Sequence, residues 1–194
     1  MHKLTALASL LLLLSNTPSH AAPATLQPGD QGLTWWIWAL TTPEDRDPVQ
    51  DLSGQHCGVE QVHPSWYLAG TYENGTPVRR TCTITQNKPI FLPIINMYAS
   101  AATRAACDRQ RLSNQAAVDR VTTRRATLDG KDLSGTIRRD ATPTCRNLTA
   151  FDVWFASDGY WLELPPLTKG THVLKFSAEM SGFKQNVTYT LIQK

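Results

Sequence analysis

Apolar and polar residues alternate most cleanly near the C-terminus, and this alternation predicts β-strands. In residues 171–178, one face carries His172, Leu174, Phe176 and Ala178. Residues 186–193 alternate in the same way, with Val187, Tyr189 and Leu191 on one face. Apolar runs at 151–156 and 160–164 are each closed by turn residues. The pattern favours antiparallel strands joined by short turns.

The middle of the chain predicts a hairpin. Residues 66–72 and 78–86 flank Asn74-Gly75, which is the strongest short-range hairpin signal. On the return strand Val78, Cys82 and Ile84 share a face, which we expect to point inward. Residues 89–95 form a further apolar run, in which Pro93 indicates a bulge or a sheet edge.

Two further segments complete the predicted fold. Residues 33–40 read LTWWIWAL, and their bulky β-favouring side chains predict a strand. Residues 98–128 are rich in Ala and Arg and lack Gly and Pro, which predicts a helical insertion at about 100–127 with a break near Ser113-Asn114. We therefore predict a mainly β domain over residues 33–194, an antiparallel β-sandwich of immunoglobulin-like or jelly-roll-like type with a short helical insertion.

The N-terminus predicts export. A basic start is followed by an apolar run at 4–14 and by small residues at Ser19 and Ala21, the pattern of a secretory signal peptide over residues 1–21. The run is too short for a membrane span, which needs about 20 apolar residues. We expect a flexible segment at 22–32, no transmembrane segment, and a periplasmic or extracellular location.

The four cysteines are Cys57, Cys82, Cys107 and Cys145. An even number in an exported chain predicts two disulfides, for which three pairings are possible. The most local pairing, Cys57–Cys82 with Cys107–Cys145, is favoured. The spacings match no zinc motif.

Motifs along most of the chain carry a resemblance: Asp51-Leu-Ser-Gly54, Cys57, Gln61, Trp66-Tyr-Leu-Ala-Gly70, Arg80-Thr-Cys82, Pro93-Ile-Ile-Asn96, and further short motifs toward the C-terminus. They resemble a family of uncharacterised exported bacterial proteins. The resemblance implies a bacterial, secreted or periplasmic protein, supports Cys57–Cys82, and transfers no catalytic residue. Residues 167–191 also resemble the last two strands of immunoglobulin-like sandwiches.

Charge and aromatic content suggest two kinds of binding surface. The formal net charge is +3, but arginines concentrate in one region, at Arg104, Arg109, Arg111, Arg120, Arg124 and Arg125. Such a cluster could meet phosphate, acidic polysaccharide or an anionic membrane, although it could equally be a solvated helix face. Nucleic acid is not expected as the partner of an exported protein. Large aromatic side chains usually pack in the core, and if any tryptophan is exposed for a sugar to stack on, Trp35 and Trp161 are the candidates.

Carboxylates and histidines supply weaker candidates. Asp45, Asp47 and Asp51 could offer oxygen ligands to calcium, although the spacing fails the EF-hand pattern and fits a solvated loop as well. His56 and His63 could meet Asp51 at a ligand or metal site. His172 falls on the inward face of its strand, where a hydrogen-bonded, partly buried histidine is the simpler interpretation.

No catalytic motif and no cofactor-binding motif is present. We therefore expect no cofactor, and a module that binds a carbohydrate or an exported protein. Two alternatives stay open: a hydrolase of envelope or extracellular polymer, with Glu60, Asp152 and Glu163 as carboxylates to test, and a structural or inhibitory protein-interaction domain.

Overall fold

The structure is a computed structural model that describes residues 29–194. The predicted signal peptide and residues 22–28 lie outside the described residues. The helices are α1 (Asp30–Thr41) and α2 (Arg104–Val118). The strands are β1 (Trp66–Tyr67), β2 (Pro77–Ile84), β3 (Ile90–Ala101), β4 (Thr123–Leu128), β5 (Lys131–Asp132), β6 (Arg138–Ala141), β7 (Arg146–Leu148), β8 (Val153–Leu164), β9 (Gly170–Met180) and β10 (Phe183–Gln193).

The strands form two sheets, which confirms the predicted β-sandwich. Sheet A has the order β1-β3-β8-β6, with β7 also paired to β8, and sheet B has the order β2-β10-β9-β4-β5. Most pairings are antiparallel as predicted, but β1 pairs with β3, and β2 with β10, in parallel. The main core lies between the sheets and includes Ile84, Leu92, Leu162, Leu174, Phe176 and Tyr189. The predicted inward faces of β9 and β10 are confirmed from Leu174 onward.

The tryptophan-rich segment is a helix, so the strand predicted at 33–40 is wrong. Trp35, Trp36 and Trp38 are all buried, together with Tyr67, Phe91 and Trp161, in a second core. This core lies on the face of sheet A that is turned away from sheet B, because α1 packs against β8, β6 and β3. The positions Gly32, Trp35, Trp36 and Ala39 follow the helical spacing i, i+3, i+4, i+7, which is the periodic signal for this helix.

Two contacts fix α1 on the sheet. The Asp140 carboxylate accepts the backbone N–H groups of Gly29 at 2.7 Å and Gly32 at 3.1 Å, and so binds the positive end of the helix. Gly32 faces β8 so closely that a Cβ there would lie 2.8 Å from the Trp161 ring. A larger residue at this position would push the helix off the sheet.

The predicted helical insertion is shorter than expected. α2 runs without a break through Ser113-Asn114 and ends at Val118. Residues 123–128, which we predicted to be helical, form strand β4 and pair with β9. The insertion prediction is therefore right for residues 104–118 and wrong for the segment after them. Within residues 29–194, no helix combines the length and the apolar character needed to cross a membrane.

Of three predicted features of the strands and their connections, the structure contains one. The hairpin is wrong, because β1 and β2 belong to different sheets, and Asn74 instead hydrogen-bonds the Gly182 carbonyl and the Lys184 N–H. The turn at 157–159 is wrong, because β8 is continuous from Val153 to Leu164. The bulge is confirmed, since the β3–β8 register shifts between Pro93 and Ile95.

Both predicted disulfides are confirmed. Cys57–Cys82 ties the loop before β1 to strand β2, and Cys107–Cys145 ties α2 to the segment before β7. The two bridges together use all four cysteines of the sequence. Each bridge closes a loop of some tens of residues, which typically contributes about 2–4 kcal/mol to stability.

Candidate functional site

Trp35 and Trp161, the candidates for exposed rings, are both buried, so core packing is the correct interpretation and the sugar-stacking one is wrong for these residues. Trp35 is 1% exposed and its indole N–H donates to the Leu68 carbonyl at 3.0 Å. Trp161 is 3% exposed, stacks on Phe91, and donates to the Asp140 carbonyl at 3.2 Å. Neither ring presents a face on which an external sugar could stack.

The acidic loop does not assemble a metal site. Asp51 accepts hydrogen bonds from its own loop, namely from the N–H groups of Ser53, Gly54 and His56 and from the Ser53 hydroxyl. Burial alone would raise the pKa of Asp51, but these hydrogen bonds outweigh it and hold the pKa below its usual value. Asp47 similarly accepts the Val49 N–H, and Asp45 is exposed. These carboxylates shape turns.

The loop histidines also point to separate neighbours. His56 contacts the Gln55 side chain through its ring, and His63 stacks on Tyr67 with ring centroids 4.9 Å apart. Burial, with a smaller effect from Lys88, lowers the pKa of His63. Over residues 29–194, no group of three or more His, Cys, Asp or Glu side chains is placed to hold a metal ion. Asp51, His56 and His63 therefore do not form the ligand set considered from the sequence.

His172 is a hydrogen-bonded, partly buried histidine, as predicted. Its Nδ1 lies 2.7 Å from Asp129 Oδ2, and its Nε2 lies 2.9 Å from the Thr168 carbonyl oxygen. Because both ring nitrogens face acceptors, the imidazole is best satisfied when it carries both protons. The pair thus ties the turn after β4 to the loop before β9, and it leaves no ring nitrogen free to act as a general base.

The His172–Asp129 pair predicts a pH dependence of stability. The Asp129 carboxylate, followed by the Thr168 carbonyl, raises the pKa of His172, while the hydrogen bonds from His172 and the Val173 N–H lower the pKa of Asp129. The histidine contribution is present below about pH 6.5 and is lost as pH rises through the raised pKa. The aspartate contribution is lost as pH falls through the lowered pKa.

His172→Gln should therefore lower the melting temperature by roughly 2 °C at about pH 5.5, a small change because the pair is near the surface. The loss should be smaller at about pH 9, because less of the imidazole is protonated there. Circular dichroism melts at the two pH values measure the difference. His56→Gln is the matched control, because the His56 ring contacts the Gln55 side chain and not a carboxylate. An equal loss at both pH values for His172→Gln would contradict a protonated clamp.

The outer face of sheet B is an extended polar surface. The helices pack on sheet A, so the side chains of β2, β10, β9 and β4 that point away from the core are exposed or half-exposed. The hydroxyl side chains on this face are Thr81, Thr83, Thr123, Thr127, Thr171, Ser177, Thr188 and Thr190. The charged side chains are Arg79, Arg125, Lys175, Lys184 and Glu179.

Strand register groups three of the cations. Thr188 of β10 lies opposite Arg79 of β2 on one side and opposite Lys175 of β9 on the other. Since neighbouring strands are about 4.8 Å apart, the backbones at Arg79 and Lys175 are roughly 10 Å apart. Arg125 of β4 lies diagonally across from Lys175, at roughly 7–8 Å. A depression of about 180 Å³ lies beside this group, lined by Arg125, Thr127, Lys175, Ser177 and Asn186 among others.

The charges on this face are unevenly compensated. Lys184 pairs with Glu179 at 3.2 Å. Within the described part of the chain, Arg79, Arg125 and Lys175 form no salt bridge. The pKa of Asp132 is lowered mainly by hydrogen bonds from Ser134, and the charge of Arg125 makes a smaller contribution. Three cations therefore face solvent across a polar, hydroxyl-rich surface.

This surface was only partly predictable from the sequence. Arg124 and Arg125 were predicted to be helical, but both lie on β4, where Arg125 faces outward and Arg124 lies over the Tyr160 ring at 4.1 Å. Arg104, Arg109 and Arg111 are on α2, on the other side of the molecule. The sequence feature that would have revealed it is the set of polar residues that alternate with the buried ones in β2, β9 and β10. These residues share the outer face of the sheet and include Arg79 and Lys175.

Comparisons with known proteins add no relative from which function could be transferred. No family model matches the chain. No curated protein matches it either. Among solved structures, the solution structure of amebosin aligns over 68% of this chain and 100% of its own, with 10% identity and a TM-score of 0.30. Similarity at that level carries no argument about fold or function.

Proposed function

We propose that the protein is an exported module that binds an acidic polysaccharide on the outer face of sheet B. The observation that carries the proposal is the group of Arg79, Arg125 and Lys175, without salt-bridge partners, on a hydroxyl-rich open sheet face. Export is supported by the two disulfides, because such bonds persist in oxidising compartments.

The chemistry of the face suits a sugar acid. A guanidinium group can hold a carboxylate or sulfate through two parallel hydrogen bonds, and an ammonium group supplies a compact positive charge. Threonine and serine hydroxyls, and the Asn186 amide, can both donate to and accept from sugar hydroxyl groups. No aromatic side chain lies on this face to stack a neutral sugar ring, so the acidic groups would supply much of the affinity.

Binding of polygalacturonate to the purified protein tests the proposal. Wild-type protein should bind this polymer at low salt and lose most of the binding at roughly 1 M salt, where the Debye length is about 3 Å. The triple variant Arg79→Gln/Arg125→Gln/Lys175→Gln should bind about tenfold more weakly, because exposed ion pairs contribute roughly 0.2–1 kcal/mol each. Isothermal titration calorimetry measures both effects.

The matched control is Arg46→Gln/Arg109→Gln/Arg138→Gln, which removes the same charge from exposed positions away from sheet B. It should bind within about twofold of wild type if location matters more than net charge. Neutral dextran should not bind. Equal losses in the two triple variants, or equal binding of dextran and polygalacturonate, would overturn the proposal.

A further inference from the structure

Two of the cations on the outer face of sheet B belong to a row of side chains that runs across the strands. From β2 to β5, the strand register gives the row Arg79, Thr188, Lys175, Thr127 and Asp132. Arg79 and Lys175 are exposed, whereas Thr188 and Thr127 are half-exposed. Directly opposed residues share a face, and neighbouring strands are about 4.8 Å apart. Cationic and hydroxyl side chains therefore alternate from β2 to β4 at that spacing.

This row differs from the neighbouring rows on the same face. The next row toward the β9–β10 turn is Pro77, Asn186, Ser177 and Arg125, with one cation, and the row on the other side is Thr81, Thr190 and Val173, with none. Along the strands, the outward positions of β2, β4, β9 and β10 carry one cation each. That of β10 is Lys184, which is paired with Glu179. A linear anionic ligand that contacts two of the unpaired cations must therefore cross the strands.

The spacing of Arg79 and Lys175 matches alternate residues of a linear polymer of sugar acids. Their backbones are two strand spacings apart, at roughly 10 Å. A pyranose residue in an extended 1,4-linked chain is about as long as one strand spacing. In an extended chain with two-fold symmetry, successive residues face opposite ways, so carboxylates on the same side are two residues apart. Each cation can therefore meet one carboxylate, while Thr188 faces the sugar residue between them.

The row ends at a negative charge beyond β4. Asp132 follows Thr127, and hydrogen bonds from Ser134 lower the pKa of the Asp132 carboxyl, which keeps it ionised at neutral pH. Like charges repel, so an acidic polymer would not continue along the row past β4. At the other end, β2 is the edge strand of the sheet. Three strand spacings separate β2 from β4, which leaves room for about three sugar residues.

Building on the proposed function, we infer that the face binds a short run of a linear polyuronate laid across the strands, with Arg79 and Lys175 each holding a carboxylate and one sugar residue lying between these two contacts. Arg125, diagonally across from Lys175, adds positive charge at the same end of the run. The depression lined by Lys175, Thr127 and Arg125 lies along the row and can seat part of a sugar ring. The ligand class is therefore an unesterified block of at least three uronate residues.

The length dependence of oligogalacturonate binding tests the inference. Trigalacturonate can place two carboxylates on the row, whereas digalacturonate can place only one on the side that faces the sheet. Wild-type protein at low salt should therefore bind the trisaccharide about fivefold more tightly than the disaccharide, the upper range for one exposed ion pair. Isothermal titration calorimetry measures both affinities. In ¹H–¹⁵N spectra, the trisaccharide should shift the backbone signals of Arg79, Thr188 and Lys175 together, since these residues lie on three different strands.

A charge-preserving swap tests the spacing. Lys175→Thr/Thr188→Lys moves the cation from β9 to β10, next to Arg79, and leaves the net charge unchanged. It should bring the trisaccharide affinity down to that of the disaccharide. The matched control is Arg109→Ser/Ser113→Arg, which moves a cation by one turn along α2, away from sheet B, and should keep the wild-type difference.

Binding of polygalacturonate separates this inference from the proposed function. If wild-type protein binds the polymer but binds the two oligomers equally, the inference is overturned and the proposed function stands. Shifts confined to one strand, or a trisaccharide preference that survives the swap, would overturn it in the same way. If the polymer itself does not bind, both fail. The comparison of the two oligomers needs no variant, so it decides even if the swap variant does not fold.

Discussion

Replacement of Arg80 by methionine should lower the free energy of unfolding by about 4 kcal/mol or more. Arg80 is 2% exposed on the inward face of β2. Its guanidinium donates at 2.6–3.0 Å to the Tyr189 hydroxyl and to the backbone carbonyls of Val49, Asp51, Ala69 and Gly70. Hydrogen bonds to a charged group contribute roughly 1.5–3 kcal/mol each, and the methionine would leave all five acceptors without this donor. Urea unfolding measures the change.

The neighbouring residue supplies the control. Arg79→Met removes the same charge from the exposed face of the same strand and should change stability by no more than about 0.5 kcal/mol. Arg80→Lys should be intermediate, because one ammonium group has three donors and cannot match a planar fork that reaches five acceptors. If Arg80→Met and Arg79→Met were equally stable, Arg80 would not be holding the two loops.

The role of Arg80 shows what alternation can and cannot predict. The sequence correctly placed Val78, Cys82 and Ile84 on the inward face, and Arg80 has the same parity. Because alternate residues of a strand share a face, this position alone indicated that Arg80 is buried. The hydrogen-bond partners of Arg80 were not predictable, because they lie in the loops at 49–51 and 69–70 and on β10. Most of them are backbone carbonyls, which every residue has, so the sequence does not mark them.

The clean alternation of β9 and β10 was enough to place both strands, because one face meets the core and the other meets solvent. β8 was divided wrongly at Ser157-Asp158-Gly159, which reads locally as a turn. Asp158 stays in the sheet because Arg139 pairs with it at 2.7 Å. Position 159 needs a glycine because a Cβ there would lie 2.6 Å from the Ile95 carbonyl oxygen of the neighbouring strand β3. Both causes are tertiary contacts, distant in sequence.

Two features of the structure differ in the same way. The cations of sheet B follow from strand periodicity once β4 is recognised as a strand, so that surface was partly predictable. A cavity of about 280 Å³ beside α1 was not predictable, since its lining residues Trp36, Asn96 and Phe183 come together only when α1 covers sheet A and the β9–β10 hairpin closes the end. The strand predicted at 33–40 would have placed Trp36 on a sheet, where no such cavity could form.

Trp35→Ala should lower the free energy of unfolding by about 3–5 kcal/mol, the usual range for truncating a large buried aromatic side chain. Trp35 packs edge-on against Trp36, Trp38 and Trp161, so its loss opens a hole in the centre of the core beneath α1. It also removes the hydrogen bond to the Leu68 carbonyl, which lies in a buried segment. Urea unfolding followed by far-ultraviolet circular dichroism gives the change without relying on tryptophan emission.

Leu40→Ala is the matched control on the same helix, because Leu40 is 46% exposed and alanine is a good helix former. It should change stability by less than about 1 kcal/mol. A comparison of the two variants distinguishes a strand from a helix at residues 33–40. On an exposed strand, as the sequence suggested, Trp35 would be dispensable for folding and the two variants would be alike. If α1 is a helix that packs on sheet A, Trp35 anchors it there, and only the loss of Trp35 should weaken the fold.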